Sequence, residues 1–299
     1  GGSAMTLKEK YTQFDKTAPL RTARLTHGSF TYRYYKNSQI PSGNITLVFL
    51  AGGTGLGDSL FYLYDSLLPK YSLITFNYPM DFPTNVSLCD AMAELFEQIG
   101  ARNIYLIGQS YGGLLAQITA KRHPEIIKGM VLSGTCSLSN DIDYEGMQNI
   151  VTMINPDKIK KNIRMDKYLP MFLLFPLFKL MCRRTIAEKQ SAEIAGAVFD
   201  ILKKDFSNDY LVHMDTLLGD LTTEFGTHKP EDFEPFRKEV LLFFSQEDHI
   251  FCDSLKDALI RLMPEPAVIP GLKGGHLAML LSRETYLSAL EKFLTERNP

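Results

Sequence analysis

Short apolar runs recur along the chain, separated by stretches with helical periodicity. The runs are rich in β-branched and aromatic residues, and uninterrupted runs of this kind are typical of strands buried on both faces of a parallel sheet. They occupy residues 45–50, 72–76, 103–107, 127–132 and 240–244.

Amphipathic segments lie between these runs and predict helices at 60–68, 88–99, 114–122 and 254–263, with a last helix ending near Thr295. A short strand is predicted at 267–270, and segments 22–27 and 30–35, separated by Gly28 and Ser29, predict an antiparallel hairpin. Strands that alternate with helices predict an α/β fold, with a mostly parallel central sheet and helices on both faces.

The alternation stops between residues 138 and 237, where helix-like segments are punctuated by prolines and no buried strand is visible. We interpret 138–237 as a helical cap inserted between two parts of one α/β core, residues 5–137 and 238–299. Residues 1–4, ahead of Met5, are interpreted as a cloning remnant.

The most apolar run, residues 169–182, lies inside this insertion. It contains two prolines and Lys179, and it is shorter than the about 18–20 apolar residues that cross a bilayer. Packing of the cap against the core is the simplest interpretation, and a pocket for an acyl chain or aromatic group is an alternative. Docking on a membrane surface is disfavoured because no strongly amphipathic basic helix accompanies the run, so membrane contact is not expected.

Composition and charge limit the classes of partner that are expected. The 299 residues carry a formal net charge of −2, and the basic cluster at 158–164 is interpreted as a solvated helix face, so no nucleic-acid partner is expected. The four cysteines are scattered without metal-binding spacing, which predicts reduced thiols and no metal site. No signal-peptide pattern is visible, and a cytoplasmic location is expected.

The sequence G-Q-S-Y-G at 108–112 joins a predicted buried strand to a predicted helix. It fits G-x-S-x-G, in which a sharp strand-to-helix turn exposes the serine at its apex. A glycine-rich turn with an incidental serine is the alternative, but the flanking strand and helix favour Ser110 as a nucleophile.

A glycine loop ahead of the last helix carries His276, directly after Gly274 and Gly275. A histidine on such a loop can turn its ring toward a neighbouring strand end, which predicts a general base. His249 is a rival, but it adjoins the predicted acid, and adjacent residues rarely project to one point.

Asp248 follows the predicted strand 240–244, at the sheet edge where catalytic groups of open α/β sheets gather. The order Ser110, Asp248, His276 also matches the triad order of such folds. Glu247, Asp253 and, more distantly, Asp141 are competing candidates for the acid.

A second glycine-rich segment, A-G-G-T-G at 51–55, follows the strand 45–50. Attack by a serine on a carbonyl creates an oxyanion that needs two backbone N–H donors; Gly53 and Tyr111 are the predicted donors. Residues 53–57 also resemble a dinucleotide-binding loop, but their third glycine falls one residue early, and no nucleotide site is expected.

Together these residues resemble the α/β-hydrolase superfamily from about residue 20 onward, most specifically in the segments 108–113 and 274–276; the passage 121–132 is similar as well. One departure concerns the oxyanion loop, where many members have His-Gly and this chain has Ala51-Gly52. This departure does not affect the three triad residues, but the contacts that support the oxyanion loop are expected to differ.

The resemblance implies a mobile cap and a serine hydrolase in which Ser110, His276 and Asp248 cleave a small-molecule carboxylic ester through an acyl-enzyme, with no metal or organic cofactor. Cleavage of an amide, peptide or C–C bond and acyl transfer use similar triads and stay open. So does a slow or non-catalytic ligand-binding protein on this fold. The sequence leaves the substrate and the oligomeric state undetermined.

Overall fold

The strands form one mixed sheet in a computed structural model that describes residues 3–184, 186 and 189–299, without the side chains of residues 190 and 191. Within these residues the sheet has eight strands in the order β1-β2-β4-β3-β5-β6-β7-β8. The strands are β1 Leu20–Leu25, β2 Gly28–Tyr35, β3 Thr46–Leu50, β4 Ser72–Thr75, β5 Ile104–Gln109, β6 Ile127–Ser133, β7 Val240–Phe243 and β8 Ala267–Ile269.

The helices alternate with these strands, except in the insertion. Their bounds are α1 Leu7–Thr17, α2 Phe61–Leu67, α3 Asn85–Gln98, α4 Tyr111–Arg122, α5 Tyr144–Ile154, α6 Pro156–Tyr168, α7 Met171–Arg184, α8 Lys189–Ile201, α9 Asn208–Asp220, α10 Asp253–Leu262, α11 Ala278–Leu281 and α12 Arg283–Arg297. The predicted α/β class with a mostly parallel sheet is therefore confirmed.

The parallel strands are the buried centre of the fold. Every residue of β3, β4, β5 and β7 is buried, as expected for strands covered by helices on both faces. The register pairs Leu50 of β3 with Gly108 of β5, and Gly108 with Leu132 of β6. The carboxyl ends of these strands therefore lie side by side at one edge of the sheet.

The first hairpin turns two residues earlier than predicted. Thr26 and His27 form the turn, and Gly28 already pairs with Leu25 as the first residue of β2. Asp81 contacts the start of β2, where its carboxylate accepts a hydrogen bond of 2.8 Å from the Ser29 N–H. A Cβ atom at position 28 would lie 2.6 Å from the Asp81 Cβ, so this glycine permits close approach of the chain.

Helix α1 was not predicted. Its start is marked by a capping box, in which the Thr6 hydroxyl accepts from the Glu9 N–H and the Glu9 carboxylate accepts from the Thr6 N–H. Tyr11 and Phe14 are buried and attach the helix to the core. The T-x-x-E pattern was the available sequence signal.

Between β6 and β7 the described chain forms helices α5 to α9 and short turns, but no strand. Helices α6 and α9 pack together, as do α7 and α8. The two ends of this insertion meet where an isolated bridge pairs Ser139 with His228. Among the described residues, no helix combines the length and apolarity needed to cross a membrane.

Candidate active site

Ser110 lies at the sharp turn between β5 and α4. Its φ of 53° and ψ of −119° are strained for a residue with a side chain. Two neighbouring glycines make the turn possible, because a Cβ at Gly108 would overlap the backbone of Gly112, and one at Gly112 would overlap the carbonyl of Leu50. The turn between β5 and α4 places the serine at the carboxyl edge of the sheet.

A continuous chain of hydrogen bonds joins the three predicted side chains. His276 Nε2 lies 2.9 Å from Ser110 Oγ, and His276 Nδ1 lies 3.1 Å from Asp248 Oδ2. The Asp248 side chain is 2% exposed and that of His276 is 13% exposed. The structure therefore brings Ser110, His276 and Asp248 together from distant parts of the sequence.

The environment of Asp248 favours its ionised form. Burial opposes ionisation, but the hydrogen bond with His276, the charge of that ring and the bond from the Ile250 N–H together lower the pKa of the Asp248 carboxyl. An ionised carboxylate accepts a hydrogen bond from the Nδ1–H group, which leaves Nε2 unprotonated as the acceptor that faces Ser110.

The competing candidates lie elsewhere. Glu247 accepts a hydrogen bond of 2.9 Å from the Gly274 N–H and so braces the loop that carries His276. Asp253 is almost fully exposed, Asp141 pairs with Arg261, and His249 is exposed. The structure brings none of them to Ser110.

The two predicted oxyanion donors are positioned by different elements. Tyr111 is the first residue of α4, where a backbone N–H has no intrahelical acceptor. Gly53 lines the cavity beside Ser110, and a Cβ there would meet nothing within 4 Å. Within the described part of the chain, neither N–H donates a hydrogen bond, so both are free to bind a ligand oxygen.

Two tyrosines support the glycine loop and were not singled out from the sequence. Tyr78 Oη donates a hydrogen bond of 2.5 Å to the carbonyl of Ala51, and Tyr210 Oη donates one of 2.6 Å to the carbonyl of Gly55. Tyr210 Oη in turn accepts from the Tyr78 N–H at 3.0 Å. This network therefore supports the glycine loop 51–55 at both of its ends.

Gln109, inside the serine motif, is a further residue that the sequence did not single out. Its side-chain Nε2 lies 3.3 Å from the carbonyl oxygen of His276, and its Oε1 lies beside Gly52. It therefore bridges the histidine loop and the glycine loop across Ser110.

A cavity of about 310 Å³ opens beside Ser110. The core contributes Leu277 and Leu281 to its wall, and the insertion contributes Phe178, Val198 and Phe199. Within the described part of the chain, its lining includes no carboxylate and no lysine or arginine side chain. The arrangement places Ser110, His276 and Gly53 in the wall of a mainly apolar pocket.

Comparison with known families agrees with this geometry. The model of the family described as alpha/beta hydrolase fold matches residues 33–282. The chain belongs to this family. Sequence relatives include a proline iminopeptidase of Lactobacillus helveticus, 32% identical over 118 residues, and a putative 2-succinyl-6-hydroxy-2,4-cyclohexadiene-1-carboxylate synthase of Bacillus subtilis, 32% identical over 113 residues. These matches cover 35% and 34% of this chain and span only 40% and 41% of the relatives' length.

Solved structures of alpha/beta hydrolases superpose over most of the chain. An esterase from Exiguobacterium antarcticum has a TM-score of 0.66 and 16% identity, covering 92% of this chain and 98% of its own. An esterase from Thermogutta terrifontis reaches 0.68 at 16% identity, covering 94% and 100%. A proline iminopeptidase from Mycobacterium smegmatis reaches 0.66 at 13% identity, covering 94% and 99%. At such identities the likeness concerns the fold alone.

Proposed function

We propose that this alpha/beta hydrolase is a serine esterase that cleaves a small carboxylic ester with an apolar acyl or aromatic group. The observation that carries the proposal is the hydrogen-bonded chain from Ser110 Oγ through His276 to Asp248. A buried, ionised carboxylate, an oriented imidazole and a strained serine are the parts that nucleophilic acyl transfer needs.

In the proposed reaction, His276 Nε2 takes the Ser110 proton while Oγ attacks the ester carbonyl. The N–H groups of Gly53 and Tyr111 stabilise the resulting oxyanion. The tetrahedral intermediate then expels the alcohol, which receives the proton from His276, and an acyl-enzyme remains. Water, deprotonated by the same imidazole, attacks that ester and releases the acid and the free serine.

The apolar cavity supports an acyl or aromatic group as the part of the substrate that is recognised. Each buried methylene contributes about 0.8 kcal/mol to binding in such a pocket. Because Phe178, Val198 and Phe199 belong to the insertion, we propose that this segment acts as a cap that sets chain-length preference.

Peptide cleavage is a second candidate, since one sequence relative is a proline iminopeptidase. Recognition of a substrate's free amino group calls for a carboxylate, because a buried ammonium without an anionic partner is costly. The described cavity lining offers apolar groups instead, and this favours the ester.

The test is turnover of p-nitrophenyl acetate, butyrate and octanoate beside proline p-nitroanilide. We expect ester hydrolysis that disappears in Ser110→Ala and persists in the control Ser38→Ala, an exposed serine after β2. Wild-type rates in Ser110→Ala would refute the serine mechanism, and faster turnover of the anilide than of every ester would refute the esterase assignment.

A further inference from the structure

Helix α7 has the sequence MFLLFPLFKLMCRR, in which residues 171–182 are apolar apart from Lys179, so apolar side chains lie on all sides of the helix. Its inner face is accounted for, because Leu174 and Phe175 are buried and Phe178 and Cys182 line the cavity beside Ser110. A helix that is apolar on all sides is typical of full burial or of contact with lipid. The outer face therefore needs an explanation of its own.

That outer face is open to solvent. It consists of large apolar side chains that are each between 39% and 73% exposed, namely Phe172, Leu173, Leu177, Leu180 and Met181. Tyr168, at the end of α6, is 72% exposed directly before it. Soluble proteins seldom expose a contiguous apolar patch without a binding role.

Basic residues flank the patch along the chain. Residues 156–204 contain eleven lysines and arginines against five aspartates and glutamates, whereas the whole chain has 32 basic and 34 acidic residues. Exposed cations precede the patch along α6 and follow it at the end of α7: Lys158, Lys160, Lys161, Arg164, Lys167, Arg183 and Arg184.

Arg184 lies on the same face of α7 as several of the exposed apolar residues. Leu173, Leu177, Leu180 and Arg184 are spaced by four, three and four residues, which places them along one line of an α-helix. An apolar stripe that ends in arginine matches a surface whose interior is apolar and whose headgroups are anionic. A second copy of the chain would instead bring the same cations against each other across a symmetric interface.

We propose that the outer face of α7 docks on the surface of an anionic phospholipid bilayer. The apolar side chains enter the boundary between headgroups and acyl chains, and Arg183 and Arg184 bind phosphate groups. Because the inner face of the same helix lines the cavity, docking would place the pocket next to a store of apolar acyl compounds. This contact on the surface departs from the sequence-based expectation of no membrane contact, and it does not depend on ester hydrolysis.

The test is sedimentation with vesicles, using Ser110→Ala protein so that binding is measured without any turnover at that serine. Vesicles of equimolar phosphatidylglycerol and phosphatidylcholine are compared with vesicles of phosphatidylcholine alone, at low and high salt. We expect binding to the anionic vesicles that weakens as salt screens the charges. Absence of binding to anionic vesicles at low salt would overturn the proposal.

Two double variants identify the surface. Phe172→Ser with Leu180→Ser removes apolar side chains that enter the bilayer boundary, and Arg183→Glu with Arg184→Glu reverses charges that face the anionic headgroups. Each double variant should weaken binding at least about tenfold. Matched controls change exposed residues elsewhere, Met5→Ser with Leu20→Ser and Lys8→Glu with Lys292→Glu, and should bind as the parent does.

Circular dichroism and thermal unfolding establish that each variant is folded, and sedimentation equilibrium reports its oligomeric state. Equal vesicle binding by the parent and either α7 variant would overturn the proposal. A lipid-free dimer that dissociates in the Phe172→Ser/Leu180→Ser variant, without any vesicle binding by the parent, would instead assign the patch to a second copy of the chain.

Discussion

Tyr210, on helix α9 of the insertion, donates a hydrogen bond of 2.6 Å to the carbonyl oxygen of Gly55, in the glycine loop of the core. The same hydroxyl accepts the Tyr78 N–H, and the Tyr78 hydroxyl bonds the Ala51 carbonyl. The Gly55 carbonyl is thus held by a residue of the insertion, and the Ala51 carbonyl by a core residue that bonds the same tyrosine. We therefore expect the direction of the Gly53 N–H to depend on the insertion as well as on the core.

Removing the Tyr210 hydroxyl should affect catalysis more than substrate binding. In Tyr210→Phe, we expect kcat for a p-nitrophenyl ester to fall about tenfold, since a poorly aimed oxyanion donor costs transition-state energy on the order of 1 kcal/mol. KM should change little, because the apolar cavity is unaltered. Tyr168→Phe, an exposed tyrosine of the insertion, is the control; a change confined to KM in Tyr210→Phe would contradict the proposed link.

Asp248 is expected to set the tautomer of His276. Asp248→Asn preserves the shape but replaces the charge, and kcat should fall by about 10⁴-fold, the effect of this change in serine proteases. Glu247 is adjacent to Asp248 and accepts a hydrogen bond from the loop that carries His276, and Glu247→Gln should lower kcat far less. Steady-state ester hydrolysis by the two variants decides between them, and a larger loss in Glu247→Gln would reassign the acid.

Val198 lies in the cavity wall, on helix α8. Val198→Phe should shorten the pocket. It should therefore lower kcat/KM for octanoyl esters relative to acetyl esters, by roughly fourfold for each methylene that no longer fits in the pocket. Val151→Phe, an exposed position on α5, should leave the ratio of the two esters unchanged. An unchanged ratio in Val198→Phe would show that the acyl group binds elsewhere.

His228 gives the fold an acid-sensitive point. Burial and the charge of Lys121 lower the pKa of its imidazole to about 4, although Asp232 acts in the opposite direction; Glu224 Oε2 lies 3.9 Å from Nε2. Between pH about 6.5 and about 4 the unfolded chain binds a proton that the folded chain does not. The free energy of unfolding should therefore fall by about 3 kcal/mol as the pH is lowered through this range.

The measurement is urea unfolding at several pH values. His228→Phe should lose this part of the acid sensitivity, because the folded state no longer excludes a proton at that position. His27→Phe, at an exposed histidine, should keep it. Identical pH dependence in the wild type and in His228→Phe would show that other groups are responsible.

The parallel strands were predictable because burial on both faces requires an uninterrupted apolar run. The bounds of β3, β5, β6 and β7 differ from those of the predicted runs by at most two residues. The predicted strands also indicated where Ser110, Asp248 and His276 would lie, since each of these residues follows a strand or lies on a loop at the same edge of the sheet. The hydrogen bonds between them are seen only in the structure.

The tyrosine network was not predictable in this way. Tyr78 and Tyr210 are 132 residues apart, belong to no motif, and meet only because the insertion folds over the core. Helix α7 poses a similar problem, since periodicity cannot divide a helix with apolar residues on all sides into a pocket face and an exposed face. Both features depend on tertiary packing.

The central claim is that Ser110 is a nucleophile activated by His276, and covalent labelling tests it most directly. Incubation with a fluorophosphonate, followed by mass spectrometry of the digested protein, should place one adduct on the peptide that contains Ser110. Labelling should be absent in Ser110→Ala and much slower in His276→Ala. An adduct on another residue, or wild-type labelling rates in His276→Ala, would contradict the account.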